Sequence, residues 1–253
     1  MRRLATACAL SLLALALPAH AGPLDREGGR GLVQPGMALN RNGGQWCTGG
    51  FLLDGKGRLR GRVFLATAAH CYEHRVGERV YDEHNRAFGR VVYSHWPYTS
   101  FADDIGLIEI DRGAFRRTSP EVAGHAGMPT GIGNGENIQV GDRVGYAGWG
   151  FATDYNSTTR EQRIGVLNSY DSRLWGADGP ISNGDSGGPL VDLESGAAVG
   201  SISNFCVPLP FNTSDGFVPG CTGYGPNMEQ FVRLATSQGW PVALRQASAG
   251  RPR

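Results

Sequence analysis

Lysine is all but missing: Lys56 stands alone among 253 residues, and the other 23 of the 24 basic side chains are arginines. The formal net charge is only +1, and it becomes −1 once Arg2 and Arg3 of the leader are removed. Such a chain has no basic footprint for nucleic acid and no pull on polyanionic partners. Past the first 21 residues no stretch approaches eighteen uninterrupted apolar residues, which excludes a helical membrane span downstream of the leader. The five cysteines include no close Cys-x-x-Cys pair, so a four-cysteine zinc site is not expected. There is no internal repeat and no low-complexity tract, which excludes solenoid architectures.

Glycine is what the chain has in quantity, 39 residues without any collagen-like period. That points to many turns between many short strands. Apolar and β-branched runs fit this reading at Trp46–Leu53 and Val63–Thr67, joined by Gly55-Lys56-Gly57. Further runs follow at 86–93, 105–110, 137–149, 160–170, 188–192 and 197–203. From 113 to 135 the pattern weakens while Gly and Pro accumulate, marking a linker between two halves. Near the end Met228, Phe231, Val232, Leu234 and Ala235 recur at helical spacing after Pro226-Asn227, predicting one amphipathic helix up to Gly239.

The organisation read from these features has four parts. Residues 1–21 are a secretory signal: Arg2 and Arg3, an apolar run from Leu4 to Leu17, then Ala19-His20-Ala21 as a cleavage site. Residues 22–40 are an extended lead-in and 41–240 the folded domain, split near 113–135. Residues 241–253 are a polar tail expected to fray. Cys8 leaves with the signal, and four cysteines in an exported chain suggest two disulfides with three pairings open. Proximity along the chain favours Cys47–Cys71 and Cys206–Cys221, each constraining the unfolded chain by roughly 3 kcal/mol.

The chemistry gathers at Gly184-Asp185-Ser186-Gly187-Gly188-Pro189. A serine between glycines on a tight turn leaves room for a substrate carbonyl and lets successive N–H groups point at one spot. A serine hydroxyl is a poor nucleophile at neutral pH and needs a base, which in turn needs a partner to fix its tautomer. Thr67-Ala68-Ala69-His70-Cys71 offers the base, and Asp103-Asp104-Ile105-Gly106-Leu107 offers the orienting carboxylate. A rival motif overlaps them: His70-Cys71-Tyr72-Glu73-His74 satisfies His-x-x-Glu-His, an inverted zinc-peptidase pattern that requires a helix carrying all three residues. The preceding run is strand-like and Cys71 is better used in a disulfide, so no metal or other cofactor is expected.

These three stretches in the order His, Asp, Ser, with Ala147-Gly148-Trp149-Gly150 as a fourth, resemble the chymotrypsin/trypsin family of serine endopeptidases. The resemblance implies an all-β fold of two antiparallel six-stranded barrels with a C-terminal helix and an active site in the cleft between them. It assigns attack to Ser186, proton transfer to His70, orientation of the histidine to Asp104, and the oxyanion hole to the N–H groups of Gly184 and Ser186. Asp104 is preferred to Asp103 because it directly precedes the apolar strand. The Cys47–Cys71 bridge also belongs to the family pattern.

The sequence departs from that pattern in two places. No Ile-Val-Gly-Gly exists whose freed amino terminus could pair with Asp185, so the partner of Asp185 is open; some bacterial members of the family use an internal arginine, for which Arg143 is one of many candidates here. At the substrate pocket Pro180 and Ile181 stand at the base, Ser203 and Asn204 on the wall, and Phe205 replaces the usual glycine. Ser182 stands where a disulfide cysteine often sits, and Asp215 is a candidate charge within the Cys206–Cys221 loop. The reading is therefore an exported serine endopeptidase, secreted or periplasmic, acting as a monomer on protein or peptide substrates. A non-catalytic binding protein on the same fold is the alternative, against which His70, Asp104 and Ser186 all argue by being present.

Overall fold

The computed structural model describes residues 32–41, 44–150, 163–179, 181–205 and 222–247. The signal, Pro180, Cys206, Asp215 and Cys221 lie outside the described residues. Strands dominate: β1 (Ala38–Arg41), β2 (Gly44–Thr48), β3 (Leu52–Gly55), β4 (Val63–Thr67), β5 (Arg79–Tyr81), β6 (Ala87–His95) and β7 (Ile105–Ile110) precede the linker. After it come β8 (Arg143–Tyr146), β9 (Arg163–Tyr170), β10 (Leu174–Asp178), β11 (Pro189–Asp192), β12 (Ala198–Ser201), β13 (Asn204–Phe205) and β14 (Thr222–Pro226). Helix α1 (Met228–Ser237) and β15 (Val242–Leu244) close the chain.

These strands form two curled, barrel-like antiparallel sheets with one helix near the C-terminus. Their orders are β15-β3-β4-β7-β6-β5-β1-β2 and β12-β11-β8-β9-β10-β14-β13. The described sheets thus hold eight and seven strands rather than six each. In the first, the short β1, β2 and β5 are separate pieces and β15 is added from the far end of the chain.

Alternation of side chains builds three cores out of these two sheets. In β4, Val63 and Leu65 point into the first sheet's interior, while Phe64 and Ala66 point into a second cluster shared with Ala147, Val191, Ala198 and helix α1. Strand β7 divides the same way, Ile108 and Ile110 inward and Ile105 and Leu107 to the shared cluster. Both faces of β4 and β7 are covered, which is why they read as continuous apolar runs in sequence. The third cluster, with Tyr146, Leu167, Trp175 and Leu190, fills the second sheet. The shared cluster locks the two halves together where the site lies.

Helix α1 starts where the sequence predicts. Asn227 caps it, its side-chain oxygen accepting from Gln230 N at 2.7 Å, and Met228, Phe231 and Ala235 are buried in the shared core. Two boundaries differ from expectation. The second half of the 22–40 lead-in is structural, because Val33, Met37 and Leu39 belong to the first core and Ala38–Arg41 is a strand. Residues 241–247, expected to fray, instead include β15 on the edge of the first sheet, with Arg245 bonded to Asp54. Within 137–149 only Arg143–Tyr146 is a strand, since Gln139 and Asp142 make a turn ahead of it.

Candidate active site

His70 sits in a single 3₁₀ turn, Ala69–Tyr72, directly after β4, and the Cys47–Cys71 disulfide ties that turn to β2. Asp104 immediately precedes β7, and the β4–β7 register sets Thr67 opposite Gly106, so the strand pairing itself carries Asp104 beneath His70. The carboxylate takes both donors of that residue: Oδ1 accepts from the His70 backbone N–H at 2.9 Å and Oδ2 meets Nδ1 at 2.7 Å. The Ser203 hydroxyl also donates to Oδ2. Asp104 has no solvent exposure, whereas the His70 side chain is 24% exposed, so one edge of the imidazole is open to a substrate. The Trp96 ring flanks it, centroids 5.4 Å apart.

Asp103, one residue earlier, does different work. It accepts from Arg173 at 2.9 Å and from Gln230 Nε2 at 2.8 Å, joining the segment before β7 to the β9–β10 turn and to helix α1. Consecutive carboxylates therefore divide between the histidine and the contact of the two halves.

The serine loop comes from the second half and packs on the first. Gly187 has φ +87° and lies so close to β4 that a Cβ on it would stand 2.9 Å from Ala68 N. The Ser186 carbonyl accepts from Thr48 N at 2.9 Å, and Asp185 O accepts from Gly188 N at 2.8 Å. Among the described residues the N–H groups of Gly184 and Ser186 find no intramolecular acceptor.

Asp185 is fully buried and meets Arg163, itself 6% exposed, in a two-pronged ion pair of 2.6 and 2.7 Å. Gly150 N at 2.8 Å, Ser182 N at 2.9 Å and the Ser182 hydroxyl at 3.4 Å also donate to the carboxylate. The glycines of Ala147-Gly148-Trp149-Gly150 make room for this pair: a Cβ on Gly150 would lie 2.5 Å from Asp185 Oδ2, and one on Gly148 2.8 Å from Arg163 Nη2. Burial by itself would lower the Arg163 pKa, but the Asp185 charge and hydrogen bonds outweigh it and the net shift is upward, so the guanidinium stays charged. Arg163 is thus the internal arginine; Arg143, named from the sequence, is exposed on β8. The signal was available in the strand phase, because Arg163 shares its face of β9 with the buried Gly165 and Leu167 while Ile164 and Val166 face out.

The expected pocket residues separate. Ile181 is 2% exposed and lies in the third core, against Gly223, where a Cβ would come 3.2 Å from its Cγ1. Ser203 points its hydroxyl at Asp104, and Asn204 Nδ2 reaches Tyr224 Oη at 3.3 Å. Phe205 pairs with Gly223 along β13, its side chain lying outside the described residues, as do Pro180 and the Cys206–Cys221 pairing. The rival zinc motif is not assembled: Ala69–Tyr72 is not an α-helix, His70 is turned to Asp104, and the His74 side chain is 89% exposed.

Two curled sheets with a His–Asp pair on one and a glycine-flanked serine on the other define the chymotrypsin-like serine protease class. The Trypsin family profile matches residues 33–207, and the chain belongs to that family and thereby to the serine endopeptidases. Among solved structures it is similar to Thermobifida fusca Protease A, at 20% identity with a TM-score of 0.57, covering 85% of this chain and 100% of that one. It is equally similar in fold to the Cellulomonas bogoriensis chymotrypsin and the Nocardiopsis protease. Each has 19% identity and a TM-score of 0.57, covering 85% of this chain and 99% of the other.

Proposed function

We propose that this protein is an exported endopeptidase that cleaves peptide bonds through an acyl-enzyme on Ser186. The observation that carries the reading is the double hydrogen bond from His70 to a fully buried Asp104, with the Ser186 loop fixed to the same sheet through Thr48 N and the N–H groups of Ser186 and Gly184 uncommitted. With Asp104 holding Nδ1–H, the His70 Nε2 is left as an acceptor for the Ser186 proton. Ser186 Oγ attacks the scissile carbonyl carbon, and the oxygen that becomes an anion takes hydrogen bonds from Gly184 N and Ser186 N. His70 then passes its proton to the leaving amine as the C–N bond breaks. Water, deprotonated by the same nitrogen, attacks the ester, and the proton returns to Ser186 as the acid product leaves. No step calls for a metal or cofactor. A fluorophosphonate probe tests the assignment: the mature protein is expected to label, Ser186→Ala to lose the label, and His70→Ala to label far more slowly. A folded protein that stays unlabelled would return the binding-protein reading.

Export rests on the 1–21 signal, cut after Ala21. Substrate choice follows from the chemistry at the pocket base. Burying a Lys or Arg head group without a counter-charge costs several kcal/mol, so if the pocket base lies at Pro180, where the family pattern puts it, an uncharged residue there should refuse cationic P1 side chains. By the family pattern, Phe205 stands where a glycine usually lines the wall, and a side chain there would disfavour large aromatics. Small and medium neutral P1 residues remain, each methylene contributing only about 1 kcal/mol, and the preference should be broad. Profiling a peptide library by mass spectrometry is expected to show cleavage after such residues. Strong cleavage after Lys or Arg would refute the neutral pocket, and its loss in Asp215→Asn would identify the missing charge.

A further inference from the structure

Thr48, the last residue of β2, has no solvent exposure, and its hydroxyl and backbone N–H are both bonded to loops of the site. Its Oγ1 accepts from Trp149 N at 3.0 Å and donates to the Gly184 carbonyl at 2.8 Å. Its backbone N–H donates to the Ser186 carbonyl at 2.9 Å, and its own carbonyl accepts from Thr67 Oγ1 at 3.3 Å. One residue of the first sheet therefore holds two carbonyls of the serine loop, those of residues 184 and 186, and ties them to the Gly148-Trp149-Gly150 segment.

The consequence for the site follows from peptide geometry. Each peptide unit is planar, so anchoring a carbonyl fixes the plane to which it belongs. The unit between residues 184 and 185 is held at both ends, its carbonyl by Thr48 Oγ1 and its N–H by Ser182 O at 3.1 Å. The Gly184 N–H belongs to the preceding unit, joined to that plane at the Gly184 Cα through two rotations, ψ and φ. Gly184 has φ +98° and no side chain to restrict these rotations, so the plane beside it must be held from outside. We infer that Thr48 is a positioning residue of the oxyanion hole, its buried hydroxyl aiming the Gly184 N–H at the oxygen on which charge develops. The inference rests on the acyl-enzyme reading above, in which that N–H does its work in the transition state and not in substrate binding.

Thr48→Val removes the hydroxyl while keeping the branched shape and the backbone bond to Ser186. A hydrogen-bond donor to a developing oxyanion is worth about 10²–10³ in kcat, so misdirecting one is expected to lower kcat by about 10- to 100-fold with KM changed by less than about threefold. A peptide boronic acid, whose adduct with Ser186 places an oxygen at the same two N–H groups, should lose affinity by a similar factor. Thr48→Ser restores the hydroxyl without the methyl group, which a Cβ on Gly188 would approach to 3.2 Å, and it should recover most of kcat and boronate affinity. A purely packing role predicts the opposite, with Val close to wild type and Ser impaired. If Thr48→Val yields no folded protein, Thr48→Ala against Thr48→Ser makes the same comparison. Wild-type kcat and boronate affinity in a folded variant lacking the hydroxyl would overturn the inference while leaving the endopeptidase reading intact. Activity that survives Ser186→Ala would instead overturn the reading beneath it.

Discussion

Asp104→Asn is expected to lower kcat by about 10⁴ while leaving KM and the fold nearly unchanged. The reason is a donor count. Asp104 accepts from the His70 backbone N–H through Oδ1, and through Oδ2 it accepts from both His70 Nδ1 and the Ser203 hydroxyl. Asparagine has one acceptor oxygen and one NH2 group to put in these places. If the oxygen stays on the His70 N–H, the NH2 faces Nδ1 and forces the ring proton onto Nε2, where it blocks acceptance of the Ser186 proton. If the amide turns over, its NH2 meets the backbone N–H, donor against donor. Ser203 adapts in either case by rotating its hydroxyl. Steady-state kinetics with a peptide ester or amide would decide it, and a kcat within tenfold of wild type would show that Asp104 does not set the histidine's tautomer.

Arg163→Met is expected to destabilise the protein by about 3–5 kcal/mol, because it leaves a carboxylate with no solvent contact and without its counter-charge. The Gly150 and Ser182 N–H groups still bond to Asp185, but they cannot replace a charge delivered by two parallel donors. Arg163→Lys should fall between the two, since an ammonium keeps the charge and not the fork. Because Asp185 adjoins Ser186, the methionine variant should also lose activity at temperatures where it remains folded. Denaturant unfolding would test the first claim, and a loss below about 1 kcal/mol would mean that the pair contributes little beyond its Coulomb and desolvation balance.

Much of this molecule was legible before its coordinates. The serine turn, the histidine after a strand and the aspartate before one carry their chemistry in local residue types, and the capped helix follows from Asn227 and a 3.6-residue apolar spacing. What escaped depended on partners distant in the chain. Nothing near Arg163 says that it faces Asp185, though its phase with Gly165 and Leu167 hinted at a buried arginine. Ser203 read as part of a pocket wall, because its bond to Asp104 spans 99 residues. Asp103 read only as the less favoured neighbour of Asp104, while its bonds to Arg173 and Gln230 span 70 and 127 residues. The tail depends on distance too: Val242-Ala243-Leu244, three apolar residues between Pro241 and a polar end, looks frayed until the edge of β3 is there to receive it.

That last strand bears on the order in which the molecule is put together. Val242, Ala243 and Leu244 pair with Gly55, Asp54 and Leu53, and Lys56 N and Leu52 O extend the ladder to Pro241 and Arg245. The first half therefore cannot complete its sheet from its own residues. As the chain emerges, Leu52–Gly55 waits with one unpaired edge through the making of nearly two hundred further residues. Pairing over such separations folds slowly, and a waiting strand edge invites association with other chains.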